Sequence, residues 1–194
     1  VYGVSRGVDR SLITSNDLLH QIQYPDPGTG EPSGSAEDQV TFGYSAQGEL
    51  LWKKSQVKAG ETATEHAYEL DGRGRLIQDT ATIGTGVNGW IDRLSYTYDP
   101  LDRLESATSY DASDLPQNQV VNQVVYERGK FGVVTRIWQE WEGTVDGSTR
   151  SVQYAYSFPA AGSTALKRTS STYTDSTVVE EVYNAGTADA LSRP

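Results

Sequence analysis

Apolar and polar residues alternate with a period of two along most of this chain, in short runs broken by clusters of Gly, Pro, Asn and Asp. That period predicts half-buried strands, and the clusters predict turns. Strands are expected at residues 39–44, 50–57, 64–70, 76–83, 91–98, 104–110, 121–126, 133–141, 150–156, 166–174 and 178–183. Helix is expected to be negligible, which places the chain in the all-β class.

The pattern repeats. "VTFGYSAQGELLWKK" carries Val40, Phe42 and Tyr44 in alternation, then Ser45, Gly48 and Leu50. "EHAYELDGRGRLIQDTA" carries His66, Tyr68 and Leu70, then Asp71, Gly74, Arg75 and Leu76. "LSYTYDPLDRL" carries Leu94, Tyr96 and Tyr98, then Asp99, Asp102, Arg103 and Leu104. Later phrases contribute Val124 with Tyr126, then Val152 with Tyr154 and Tyr156, and finally Tyr183. The aligned positions 44, 70, 98, 126, 156 and 183 stand 26 to 30 residues apart. Self-similarity at a steady period marks a repeat array. Residues 1–38 read as a lead-in strand and a Pro/Gly-rich loop. Residues 39–194 read as hairpin units at about 39–63, 64–90, 91–117, 118–149, 150–177 and a partial 178–194.

Each unit has a physical logic. A strand rich in aromatic and β-branched residues enters a short turn, and a second strand richer in Ser and Thr leaves it. Asp99 suits the first turn position, because its carboxylate can accept a backbone N–H two residues on. Pro100 presets φ for the next position of a type I turn. The fourth position calls for positive φ, which Gly48 and Gly74 adopt freely and Asp102 tolerates. The expected unit is therefore a β-hairpin closed by a type I turn and a bulge. Of the 12 Tyr residues, eight (44, 68, 96, 98, 126, 154, 156 and 183) fall in the first-strand slots. Phe42, Tyr68, Tyr96, Val124 and Tyr154 are expected to share one face of the sheet.

Composition narrows the function. The net charge is −10, from 16 Lys+Arg against 26 Asp+Glu, and this repels phosphate backbones, so nucleic acid is not an expected partner. There is no Cys, hence no disulfide framework or thiolate metal site. No apolar run approaches the roughly 18 residues of a membrane span, and no signal peptide opens the sequence. Met is absent even at position 1, so the chain is expected to be an internal segment or a processed product.

The unit Tyr-Asp-x-x-Gly-Arg-Leu resembles the YD repeat of bacterial RHS-repeat proteins. Residues 98–104 carry it with Asp102 in the Gly slot, and residues 70–76 with Leu70 in the Tyr slot. "IQYPDPGTGEPS" and "GTGVNGWIDRLSYTYD" are similar to connecting phrases of the same family, and the resemblance covers roughly residues 18–194. It implies long antiparallel ribbons wound into a hollow, spiralling β-shell, as in insecticidal toxin-complex shell components and teneurins. It further implies a secreted or cell-surface protein whose shell encloses a variable C-terminal toxin. The family's self-cleaving core, with paired aspartates in a DPxGL context, has no match here; "DPG" at Asp26–Gly28 reads as a turn. The expected partners are neighbouring repeats of the same longer polypeptide and an enclosed or displayed polypeptide. The alternative is an adhesin-like module that contacts glycan through exposed aromatics. An isolated piece is expected to self-associate through open sheet edges, chiefly the strand Val178–Tyr183.

No catalytic, cofactor or metal constellation is expected. "GVSRG" at Gly3–Gly7 matches a nucleophile-elbow pattern but lacks the strand before it and the helix after it. In "RIWQEWEG", strand geometry puts Trp138 with Glu140 and Glu142, and Trp141 on the opposite face with Ile137 and Gln139. The two Trp residues therefore cannot form one platform, and core or wall packing is the expected role rather than glycan contact. His66 reads as a wall residue beside Tyr68, and His20 has no evident partner. The Asp-rich "YDASD" at Tyr110–Asp114 reads as a solvated turn, and Pro25–Gln39 as the longest turn-rich stretch.

Overall fold

The computed structural model describes residues 1–33, 38–55, 62–84, 86, 89–111, 119–158 and 165–181. Three short strands open the chain: β1 (Tyr2–Val4), β2 (Ser15–Leu19) and β3 (Gln21–Gln23). The hairpin strands follow as β4 (Gln39–Tyr44), β5 (Leu50–Ser55), β6 (Glu65–Leu70), β7 (Leu76–Thr82), β8 (Ile91–Tyr98) and β9 (Leu104–Asp111). The last five are β10 (Val120–Arg128), β11 (Val134–Glu140), β12 (Ser151–Ser157), β13 (Lys167–Tyr173) and β14 (Val178–Glu180). The paired strands run antiparallel, hydrogen bonding follows chain order from β3 to β14, and β1 and β2 form a pair of their own. Helical structure among the described residues is confined to 3₁₀ geometry, chiefly the turn Val8–Arg10. The protein is all-β. From β4 onward the strand ends lie within about two residues of the positions expected from alternation, except that β14 ends at Glu180 against an expected 183, with 182 and 183 outside the described residues; alternation does not mark β2 and β3.

Contacts divide the chain into two units. The first is Val1–Tyr96 with Ser109–Gln119, and the second is Thr97–Thr108 with Val120–Pro194. Among the described residues the buried apolar side chains lie in the first: Val4, Val40, Tyr44 and Trp52. They are gathered there because the N-terminal segment folds back onto the first hairpin. Leu12 N–H donates to the Tyr44 carbonyl at 2.8 Å, and Tyr44 N–H to the fully buried Ser11 Oγ at 3.3 Å. Tyr44 Oη donates to the Leu19 carbonyl at 2.6 Å, so the phenol keeps a partner as its ring is buried. The 3₁₀ turn packs on β4, and the Arg10 guanidinium lies 5.2 Å from the Trp52 ring centre while also pairing with Glu65 on β6. Asp9 and Arg10 reach this position with positive φ, 45° and 56°.

The second unit stands differently. Its buried side chains among the described residues are Ser106, Thr108, Thr149, Ser151, Lys167 and Ser171, with no large apolar member. Its strands are held by ladder hydrogen bonds and by polar cross-strand contacts. Thr97 and Ser106 hydroxyls meet at 2.7 Å, and Gln123 Nε2 donates to Thr108 Oγ1 at 2.9 Å.

Gly43 is the tightest point of the first unit. A Cβ there would overlap the Trp52 indole nitrogen and lie 2.5 Å from the Asp9 carbonyl. Gly43→Ala should therefore destabilise by about 1–3 kcal/mol through overpacking. Gly147→Ala, where a Cβ would meet nothing within 4 Å, should be neutral or slightly stabilising. Urea melts followed by tryptophan fluorescence separate the two. Equal midpoints would mean that the N-terminal segment does not hold this contact in solution.

Candidate functional site

The recurring feature is the hairpin turn. At residues 45–49, 71–75, 99–103 and 129–133 the same two backbone bonds close it. The fourth residue donates to the carbonyl of the first, at 3.1, 2.9, 3.0 and 3.0 Å for Gly48, Gly74, Asp102 and Gly132. The first residue donates to the carbonyl of the fifth, at 2.8, 2.9, 2.9 and 3.0 Å. The fourth residue is left-handed each time, with φ of 87°, 77°, 63° and 77°. This is the type I turn with a following bulge. Tyr173–Thr177 repeats it with Ser176 at φ 67°, now between β13 and β14.

Two turns carry a side-chain clamp of nearly identical geometry. Asp71 Oδ1 accepts from the Arg73 and Arg75 amides at 2.8 and 3.1 Å, and Oδ2 from Arg75 Nε at 2.7 Å. Asp99 Oδ1 accepts from the Leu101 and Arg103 amides at 2.9 and 3.0 Å, and Oδ2 from Arg103 Nε at 2.7 Å. The second guanidinium nitrogen approaches the same carboxylates at 2.5 and 2.7 Å. A carboxylate that accepts four charge-assisted or backbone donors favours its ionised form. The Arg75 guanidinium, followed by the Arg75 and Arg73 amides, lowers Asp71 from 3.8 to about 2 against an opposing desolvation effect. Asp99 is lowered by the equivalent bonds, Arg103's guanidinium first. In the first hairpin a neutral version operates: Ser45 Oγ accepts from the Gln47 and Glu49 amides at 3.1 Å each and donates to Glu49 Oε2 at 3.2 Å.

In four hairpins, β4–β5, β6–β7, β10–β11 and β12–β13, the outgoing strand carries one extra residue. Tyr44 opposes Leu50 and Gly43 opposes Trp52, which leaves Leu51 over; Ile77, Thr135 and Thr169 are left over in the same way. Such bulges bend a strand and increase its right-handed twist. The bulge also defines the repeat slots. Tyr44, Leu70 and Tyr156 occupy one slot, and in the fourth hairpin that slot holds Arg128, not Tyr126. Tyr126 stands two residues earlier, in the slot of Phe42, Tyr68 and Tyr154. A two-residue displacement preserves the face.

Directly opposed residues share a face, so the register fixes the faces within each unit. In the first, Phe42 opposes Lys53, which opposes His66; Tyr68 opposes Asp79, which opposes Leu94. Phe42, Tyr68 and Tyr96 therefore lie on one face. In the second, Val124 opposes Gln139, Tyr126 opposes Ile137 and Ile137 opposes Val152, which places Val124, Tyr126 and Tyr154 on one face. Tyr156 Oη donates to the Val134 carbonyl at 2.9 Å, and burial raises its phenol as it does that of Tyr44. Gly48, Gly74, Arg75, Leu76, Tyr98, Arg103 and Leu104 all sit in or beside the turns. Tyr183, Val182, the loop before Leu166 and residues 112–114 of the Asp-rich stretch lie outside the described residues.

The remaining candidates are placed as follows. A strand does precede Ser5, since β1 ends at Val4, contrary to the expectation for this motif; but Ser5 accepts from Val8 N–H through its carbonyl at 3.0 Å, in a turn that leads only into a three-residue 3₁₀ turn and not into a helix. His20 does have a partner, Asp9, which the sequence did not reveal because Asp9 is brought over by the 3₁₀ turn. His66 Nδ1 meets Asp79 Oδ1 at 2.9 Å and stacks on Tyr68. Asp26 caps its own loop through the Gly28 and Thr29 amides at 2.8 and 2.9 Å. Trp141 lines a hollow with Ile137 and Gln139, and Trp138 is absent from that hollow. Among the described residues no group of three or more His, Asp or Glu is disposed to hold a metal, and no helix is long and apolar enough to cross a membrane. No family model matches the chain, and no curated protein sequence matches it.

Two predictions follow from the turn. Gly74→Ala should destabilise by roughly 1 kcal/mol or more, since Ala does not readily adopt positive φ; a neutral urea midpoint would contradict the bulged turn. The clamp should also make stability depend on acid. Because the folded value of Asp71 lies below its ordinary one, the clamp contributes fully above about pH 4 and is lost as pH falls toward 2. The urea midpoint should drop across that window, and less steeply for Asp71→Asn/Asp99→Asn. A residual slope is expected from Asp26, Glu140, Asp146 and Asp175, which hydrogen bonds also hold low. An unchanged slope in the double variant would remove the clamp as its source.

Proposed function

We propose that this chain is a stretch of wall from a larger RHS-type, YD-repeat β-shell. In that reading it encloses or displays a C-terminal polypeptide at the cell surface or after secretion, and performs no chemistry itself. The observation that carries the reading is the repetition of one turn and one bulge in hairpin after hairpin. Each bulge adds twist of the same hand at the same slot. A ladder extended by further copies of such a hairpin is driven to coil, and coiling closes space without needing a second layer. The polar buried positions of the second unit agree with a wall whose stability comes from paired backbone on both sides of every strand.

The direct test is electron microscopy of this chain within its native flanking sequence. A hollow, coiled sheet with residues 39–181 in its wall supports the proposal; a flat sheet, a closed barrel or separate domains would overturn it. The wall reading also predicts that the last described strand seeks another. β14 pairs with β13 and exposes Val178 and Val179. Analytical ultracentrifugation of the 194-residue chain should show concentration-dependent association, weakened by Val179→Lys. A chain that stays monomeric at high concentration removes the open-edge argument.

A further inference from the structure

The second unit carries an open trough of about 710 Å³ between the ends of β11, β12 and β13. Its floor is Ile137 and Val152, and its walls include Trp141, Tyr154 and Tyr173. Trp141 is 64% exposed and Tyr173 is 44% exposed, so both rings present apolar surface to the trough. Trp141 is not held out by chance. The Glu140 carboxylate accepts from the Trp141 amide at 3.0 Å and from Thr149 Oγ1 at 2.7 Å. Asp146 then accepts from the Ser148 amide and hydroxyl at 2.8 and 2.7 Å, which closes the rest of the loop. The indole is thus presented on a preorganised support, which lowers the entropy cost of binding.

The planar polar groups around it are the Gln139 amide, the Arg150 guanidinium and the Asp175 carboxylate, while the Ser151 and Thr174 hydroxyls that also line it are engaged with Arg136 Nε and the Ser151 carbonyl. Arg150 lies 6.0 Å from the Trp141 ring centre. Asp175 is oriented by the Thr177 amide at 2.9 Å. One cation and one anion leave the lining without net charge. Flat aromatic faces pack against the C–H face of a pyranose, while planar amide, guanidinium and carboxylate groups pair with adjacent hydroxyls. An extended peptide fits less well. β12 is paired on both sides and β13 likewise, so the trough offers no free strand edge to augment. We propose that this trough binds a neutral oligosaccharide, with Trp141 as the stacking platform and Arg150 and Asp175 as hydroxyl partners. The inference goes beyond the wall reading and does not depend on it.

The test is titration of the 194-residue chain with cello-, chito-, malto- and manno-hexaose, followed by tryptophan fluorescence and saturation-transfer NMR. At least one should bind saturably by about 10 mM. Trp141→Ala and Arg150→Ala should each weaken that binding about tenfold or more. Phe131→Ala, an exposed ring outside the trough, should leave it within about twofold. Circular dichroism of each variant checks that the sheet is retained. No binding by any of the four sugars, binding that survives both trough variants, or binding only of an anionic polysaccharide in a salt-sensitive manner would each overturn the proposal.

Discussion

A hairpin in this protein is only as well defined as its turn, and in two of the turns a single carboxylate defines it. Asp71 and Asp99 each tie two amides and a guanidinium to the first turn position. That fixes which residue becomes left-handed and therefore where the bulge falls. Strand side chains alternate, so a slip of one residue would exchange the two faces of the hairpin. The aromatic face, the polar face and the recurring twist all descend from this local choice. Ser45 with Glu49 does the same work without a formal ion pair. The fourth turn, Gly129–Val133, has no side-chain acceptor at its first position and relies on Gly132 alone for its geometry.

This also explains what the sequence made legible. Alternation located β4 to β14 because strand and sheet period coincide, and the Asp-x-x-Gly-Arg spacing located the turns because each residue has a single mechanical role. The fourth hairpin misled because the eye aligns aromatics, whereas the fold aligns turns. "GKFG" at Gly129–Gly132 sets the slot, and Tyr126 falls two places short of it. The extra residues Leu51, Ile77, Thr135 and Thr169 carry no Gly or Pro to announce them. Leu51, Ile77 and Thr135 each stand three residues after the left-handed glycine of their turn, so the turn, and not the strand's own composition, locates them. The trough was visible only in part: alternation set Trp141 beside Ile137 and Gln139, but Arg150, Tyr173 and Asp175 arrive from distant hairpins.

The N-terminal segment shows a different physics. Its strands are three to five residues long and pair over non-local distances, so local pattern could not reveal them. Yet it supplies the apolar burial of the first unit, by laying a 3₁₀ turn and Arg10 over Trp52. Gly43 is the enabling residue, since any side chain there would separate the layers. Elsewhere, guanidinium groups take up part of the same role. Arg136 lies 4.8 Å from the Trp138 ring centre and Arg168 5.2 Å from that of Tyr154. Each such cation desolvates a ring face while keeping its charge near water.

A chain with net charge −10 that spends its arginines on rings and turn carboxylates has few cations left to attract anionic partners. For the proposed trough, recognition then rests on shape and ring faces. That is why the loop around Trp141 matters: its carboxylates, Glu140 and Asp146, are turned inward to amides and hydroxyls and are held low by those bonds. Acid groups that elsewhere repel ligands here act as internal supports. The same economy links the loop to the hairpin turns, where a carboxylate is again an acceptor for the backbone first and a surface charge second. A sheet ordered in this way needs little core, and it can leave an aromatic surface exposed without losing its register.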